Sequence, residues 1–212
     1  MRRNSTHGKQ CAGVILAVME LPIMNGLVLA GGLSTRMGSD KSLIDYHGKP
    51  QREYLFDALK IVCREVYVSC RGEADVPAQL NPLTDKFDIK SPLNGILSAF
   101  ELCDHCAWLT VPVDLPNVSS DVLRFMVSRR DTGKLATCFF DSSAGSPEPL
   151  LTIWEPSAQP LLVAQVAKGD ISPRSFLLSH DVRIIHGMDQ SIFLNVNDPA
   201  SRRDYTSGKI SN

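Results

Sequence analysis

The chain has 212 residues, of which 43% are hydrophobic and 21% charged, and its formal net charge is −1. That length suits one domain with a full core, and the composition is that of a soluble globular protein. The near-zero charge provides no overall basic field for nucleic acid or an anionic membrane, so any phosphate binding must come from local charges. No apolar run approaches the roughly 20 residues of a membrane-spanning helix.

Residues 1–24 are expected to be a disordered extension, residues 25–205 a single domain, and residues 206–212 a polar tail. Arg2, Arg3 and Lys9 precede the apolar run Ala12 to Met19, which is the outline of a signal peptide. The run is short, however, and ends at Glu20 without an A-x-A site. Met24, directly before the first strand, is a second candidate start. The six cysteines are spread through a chain too large to need staples, and are read as reduced thiols in a cytoplasmic protein.

Leu27 to Ala30 is too short for a helix and reads as a buried strand that stops where Gly31 and Gly32 begin. Glycines there permit positive φ and bring backbone N–H groups close to an anion. Arg36 and Lys41 add two cations, one suited to bidentate phosphate contact and one a compact point charge. Strand, glycine turn and cations describe a triphosphate cradle. It is not a Walker loop, because Ser39 and Asp40 separate Gly38 from Lys41. Nor is it a dinucleotide turn, because adjacent glycines break the G-x-G-x-x-G spacing.

Helical spacing over Gln51 to Cys63 follows Pro50, and Glu65 to Cys70 alternates as a second strand. Asp75 to Ser91 is expected to connect, with a short strand. Leu93 to Leu102 reads as a helix after Pro92, and Trp108 to Val113 as a central strand ending at Asp114. Ser119 or Ser120 caps a helix to about Arg130. Strands at Leu135–Phe140 and Pro149–Trp154 flank a turn-rich loop. Helices follow at Pro156–Lys168 and Arg174–Ser179, then strands at Val182–His186 and Ile192–Val196, and a last helix from Pro199. Alternating strands and helices argue for an α/β fold with a mostly parallel sheet. The less regular region after Asp141 is expected to add edge or antiparallel strands and half of a cleft.

Asp114 stands where open α/β sheets bind ligands, at a strand's C-terminal edge. A carboxylate there suits Mg²⁺, which takes oxygen ligands and nucleotide phosphates, or caps a helix; the shared edge with the glycine turn favours metal. Asn195 and Asn197 face one way on a strand, to complete a metal shell or hold a substrate; the alternative is a strand end where Asn197 or Asp198 caps the helix after Pro199. Cys103-Asp104-His105-Cys106 lacks the second ligand pair a structural zinc site needs, and reads as a helix end carrying buried thiols. No nucleophile signature is present.

Taken in order, these segments resemble the molybdenum cofactor guanylyltransferase family. Leu29-Ala30-Gly31-Gly32 through Arg36-Met37-Gly38 to Asp40-Lys41 is similar to its L-A-G-G-x-x-x-R-M-G-x-D-K signature. Ser91-Pro92-Leu93-Asn94-Gly95, Val113-Asp114-Leu115-Pro116, Pro147-Glu148-Pro149-Leu150 and Leu194-Asn195-Val196-Asn197 resemble its G-P-L-x-G, C-D-x-P, P-x-P-L and N-x-N blocks. The resemblance implies a Rossmann-like three-layer nucleotidyltransferase fold, and Mg²⁺-dependent transfer of GMP from GTP to molybdopterin with release of pyrophosphate. It implies nucleotide contacts at Leu29, Ala30, Gly31, Gly32, Lys41, Cys70, Asp88 and Asp114, with metal on Asp114. It implies catalytic roles for Arg36, Lys41 and Asp114, substrate contacts at Asn195 and Asn197, and molybdoenzymes or cofactor-insertion proteins as partners. Ser91 stands where Gly is usual, Val113 where Cys is usual and Cys70 where Asn is common; Cys70 thereby loses an amide contact. Gly31, rather than the Ala of cytidylyl relatives, leans to GTP. CTP, a sugar-phosphate acceptor and a non-catalytic nucleotide-binding role remain the alternatives.

Overall fold

The computed structural model describes residues 22–30, 40–72 and 75–194. Its sheet has seven strands: β1 (Met24–Leu29), β2 (Val66–Cys70), β3 (Pro82–Thr84), β4 (Ala107–Pro112), β5 (Ala136–Asp141), β6 (Ser146–Trp154) and β7 (Arg183–Ile185). The spatial order is β3-β2-β1-β4-β6-β5-β7. Every neighbouring pair is parallel except the two made by β6, which runs antiparallel to both β4 and β5. The mixed α/β architecture expected from the alternating pattern is therefore present, and its irregular half begins after Asp141 as anticipated.

Among the described residues, five α-helices cover the two faces: α1 (Gln51–Leu59), α2 (Leu93–Leu102), α3 (Ser120–Ser128), α4 (Gln159–Ala167) and α5 (Pro173–Ser179). The period-2 pleat sends alternate strand residues to opposite sides. Val28, Val66, Val68 and Val111 pack on one side with Leu55 and Leu59 of α1 and Leu123 and Met126 of α3. Leu27, Trp108 and Trp154 pack on the other with Ile96 and Phe100 of α2, Leu162 of α4 and Phe176 of α5. All six residues of β4 are buried, as a strand covered on both faces must be. Local signals set the helix starts. Ser119 Oγ accepts from the Val122 N–H, and Ser172 Oγ from the Ser175 N–H.

The described part of one predicted strand, Ile192–Val196, is not extended. Ile192 and Phe193 lie in a short 3₁₀ turn, Gln190–Phe193, rather than in an extended segment. Asp189 explains it: its carboxylate accepts from the Ser191 N–H and starts a turn, while Ile192 and Phe193 still reach the core. The rest of that predicted strand and the final helix lie outside the described residues.

The cysteine reading also needs correction. Cys103 and Cys106 are joined in a disulfide, their Cα atoms 5.4 Å apart. The helix ends at Leu102 and the chain turns directly into β4, which brings the two side chains together. Cys63 and Cys138 remain thiols, each pushed up to about 12 by burial. No described helix is long and apolar enough to cross a membrane.

Candidate active site

The parallel register decides what meets at the sheet's C-terminal edge. Leu29 is opposite Ser69 on one side and Pro112 on the other. Ala30, Arg71 and Asp114 therefore leave their strands at one edge, and Val113 N–H still donates to Leu29 O at 3.4 Å. A cavity of about 810 Å³ opens there. Leu29, Ala30, Lys41, Asp88 and Asp114 all line it, so five of the residues singled out from the sequence share one space.

Each is placed by a local device. Asp40 caps a 3₁₀ turn, its Oδ1 accepting from Ser42 N at 2.9 Å, and Lys41 is the first residue of that turn. The following loop is tied down by His47. Its ring stacks on Tyr54, with centroids 3.9 Å apart, and Nε2 lies 2.9 Å from the carbonyl oxygen of Pro116. The Lys41 segment is thus fastened to the loop that carries Asp114. Asp88 sits on a loop held by α2. Asn94 Oδ1 accepts from Phe87 N at 3.0 Å, and its amide donates to the carbonyls of Phe87 and Ile89. Ser98 Oγ accepts from Lys86 N at 2.9 Å on the same loop.

Cys70 is not in the cavity wall. It is 3% exposed and packs with Val66 and Val68, because it shares their side of the pleat. Ser69 and Arg71, on the alternate side, supply the β2 wall instead. Ser91 lines the cavity, but its hydroxyl is turned to the α4–α5 connection, donating to Ile171 O at 2.5 Å, and it also accepts from Leu93 N. Gly95 is opposite Ser69 with no room for a side chain: a Cβ there would lie 2.8 Å from Ser69 Oγ. Gly31, Gly32, Arg36, Asn195 and Asn197 lie outside the described residues.

Two carboxylates escaped the sequence reading. Asp85 lines the cavity and accepts from Ser69 Oγ at 3.2 Å. Burial pushes it above the usual carboxylate range, against the pull of Ser69 and Arg71. Glu148, on β6, is also raised, first by burial and further by the negative charges of Asp114 and Asp141; the Leu150 N–H and Arg174 oppose this. Alternation on a strand cannot signal a carboxylate that approaches Asp114 across the sheet. Asp114, whose charge reaches Glu148 on the neighbouring strand, lines the cavity as a hard-oxygen donor. It fits Mg²⁺, which is typically held by one or two carboxylates with phosphates and waters.

Residues 26–184 match the MobA-like NTP transferase domain. The chain belongs to that family. It is 32% identical over 177 residues to the molybdenum cofactor biosynthesis bifunctional protein of Synechocystis sp., covering 82% of this chain and 51% of that protein. The chain thus spans about half the length of this relative. It is 25% identical over 181 residues to the molybdenum cofactor guanylyltransferase of Shewanella amazonensis, covering 83% of this chain and 92% of that one. In fold, it resembles molybdopterin-guanine dinucleotide biosynthesis protein A of Archaeoglobus fulgidus. The TM-score is 0.72 at 20% identity, over 88% of this chain and 98% of the other. The family is one of nucleotidyltransferases, and the cavity lies where such a sheet presents its ligands.

Proposed function

We propose that this nucleotidyltransferase moves GMP from GTP to the terminal phosphate of molybdopterin, releasing pyrophosphate and forming a guanine dinucleotide cofactor. The observation that carries the reading is the meeting of Ala30, Lys41 and Asp114 around one cavity at one sheet edge. The acceptor phosphate attacks the α-phosphorus in line. It is already an anion, so no general base is required. The work left to the chain is positioning and charge stabilisation.

In this reading Leu29, Ala30, Gly31 and Gly32 hold the nucleotide by close backbone approach, with Asp88 on the loop clamped by Asn94. Lys41 and Arg36 offset charge developing on the leaving pyrophosphate. Asp114 would hold Mg²⁺, which supplies further neutralisation of the triphosphate when bound. Asn195 and Asn197 face the pterin or complete the metal shell. Cys70 lies behind the cavity wall, so a nucleotide contact from β2 falls to Ser69 or Arg71. The cytoplasm is the compartment for this chemistry, and molybdoenzymes or cofactor-insertion proteins are the partners that would take the product.

The test is pyrophosphate release from GTP, CTP, ATP and UTP in turn, with molybdopterin and Mg²⁺. GTP is expected to turn over best, and Asp114→Ala to abolish nearly all of it. Turnover with CTP but not GTP would overturn the base assignment. Full turnover by Asp114→Ala would overturn the site.

A further inference from the structure

We infer that Cys103–Cys106 is a thiol–disulfide exchange site, with Cys103 the sulfur that exchanges. The pair joins the end of α2 to the start of β4. Asp114 and Pro92 lie at the opposite ends of those same two elements, so the bond sits outside the nucleotide cavity.

Three observations carry the assignment. The two sulfurs differ in access: Cys106 is only 4% exposed, whereas Cys103 is half-buried. An incoming thiol therefore reaches Cys103, and Cys106 is the natural leaving and resolving group. An imidazole stands beside the accessible sulfur. His105 Nε2 and Nδ1 lie 3.7 and 3.9 Å from Cys103 Sγ. The ring is itself positioned, with Nδ1 3.1 Å from Asp104 Oδ1, and its side chain is 79% exposed. A proton carrier thus sits between the sulfur and solvent. The α2 C-terminus, with its partial negative charge, disfavours a thiolate on Cys103, and the imidazole is placed to offset that.

The exchange balances as follows. A thiolate of a small thiol attacks Cys103 Sγ, forming a mixed disulfide and breaking the Cys103–Cys106 bond. Cys106 leaves with the electron pair and takes a proton. A second thiol attacks the external sulfur of the mixed disulfide, releasing the oxidised small disulfide and Cys103, which is protonated through His105. Two electrons and two protons pass from two small thiols to the protein, and the reverse sequence oxidises it.

The test equilibrates the full chain in mixtures of reduced and oxidised glutathione, then maps thiols by differential alkylation and mass spectrometry. Cys103 and Cys106 are expected to change state together as the ratio changes, while Cys63 and Cys138 do not respond. The emission of Trp108, whose Nε1–H donates to Cys103 O at 3.2 Å, should change over the same range. Cys106→Ser should trap glutathione on Cys103, and Cys103→Ser should trap it on Cys106 roughly ten-fold more slowly or worse. The wild-type measurement decides the matter should either variant fail to fold. The inference is overturned if both residues alkylate at every ratio or at none. It is also overturned if Cys103→Ser traps glutathione as fast as Cys106→Ser, or if the purified chain holds one zinc ion on Cys103, His105 and Cys106.

Discussion

Arg130 grips Glu155 with two parallel hydrogen bonds, Nε to Oε1 at 2.7 Å and Nη2 to Oε2 at 2.8 Å, at side-chain exposures of 10% and 2%. The same guanidinium donates to Pro22 O at 3.2 Å. One buried ion pair thereby links the end of α3, the end of β6 and the chain just before β1. Neither residue was singled out from the sequence. They are 25 positions apart, and nothing local announces the pairing.

Removing one partner leaves a buried charge without compensation. Glu155→Ala is expected to lose about 3–5 kcal/mol of stability, read from the urea midpoint. The double change Arg130→Met with Glu155→Leu should recover most of it, because two apolar groups need no partner. Equal losses from the single and double variants would show that packing, and not charge, governs this site.

Glu148 gives a pH dependence. Its native carboxyl is raised above its ordinary value of 4.5, chiefly by burial. Below that ordinary value it is protonated in both states and costs nothing. As pH rises, the unfolded chain releases its proton first, so stability falls until the raised native value is passed. Glu148→Gln keeps an oxygen to accept from Leu150 N and removes the charge. It should be more stable than the native chain at about pH 8 and no different near about pH 4. A constant difference at both would refute the argument.

Gly95 and Ser69 define a steric limit. A Cβ at 95 would stand 2.8 Å from Ser69 Oγ and 3.2 Å from Leu29 Cδ2. Gly95→Ala should cost about 1–3 kcal/mol in stability and loosen the Ser69–Asp85 hydrogen bond in the cavity wall. Adding Ser69→Gly to it should recover part of the thermal midpoint, since the Ser69 atoms are then gone while Leu29 Cδ2 remains.

Lys41 is expected to act more on the transition state than on binding. Lys41→Ala should lower kcat for pyrophosphate release by roughly 10²-fold, with a smaller change in KM. Lys41→Arg keeps the charge but not its compact shape, and should recover only part of the loss. A pure KM effect would limit the residue to ground-state binding.

What the sequence made legible was whatever is written locally. Leu93–Leu102 appears as read, because Pro92 and the apolar spacing fix both its start and its inward face. The strand before Asp114 and its edge were legible for the same reason: an unbroken apolar run must be central. That the Cys70 side chain packs with Val66 and Val68 was not legible, because a motif gives a position and not a side of the pleat. Asp85 and Glu148 were missed because their roles come from approach across the sheet. His47 had no sequence partner because its acceptor is a backbone carbonyl 69 residues away. The disulfide was set aside on grounds of chain size, whereas the turn after α2 brings the two sulfurs together regardless.

β6 is wedged between β4 and β5 and runs against both. Its removal would uncover one side of a wholly buried strand, with N–H and C=O groups and Trp108 suddenly presented to water. An exposed apolar edge of that kind is a template for pairing with another chain. A product truncated before Ser146 should therefore precipitate rather than persist as a smaller domain.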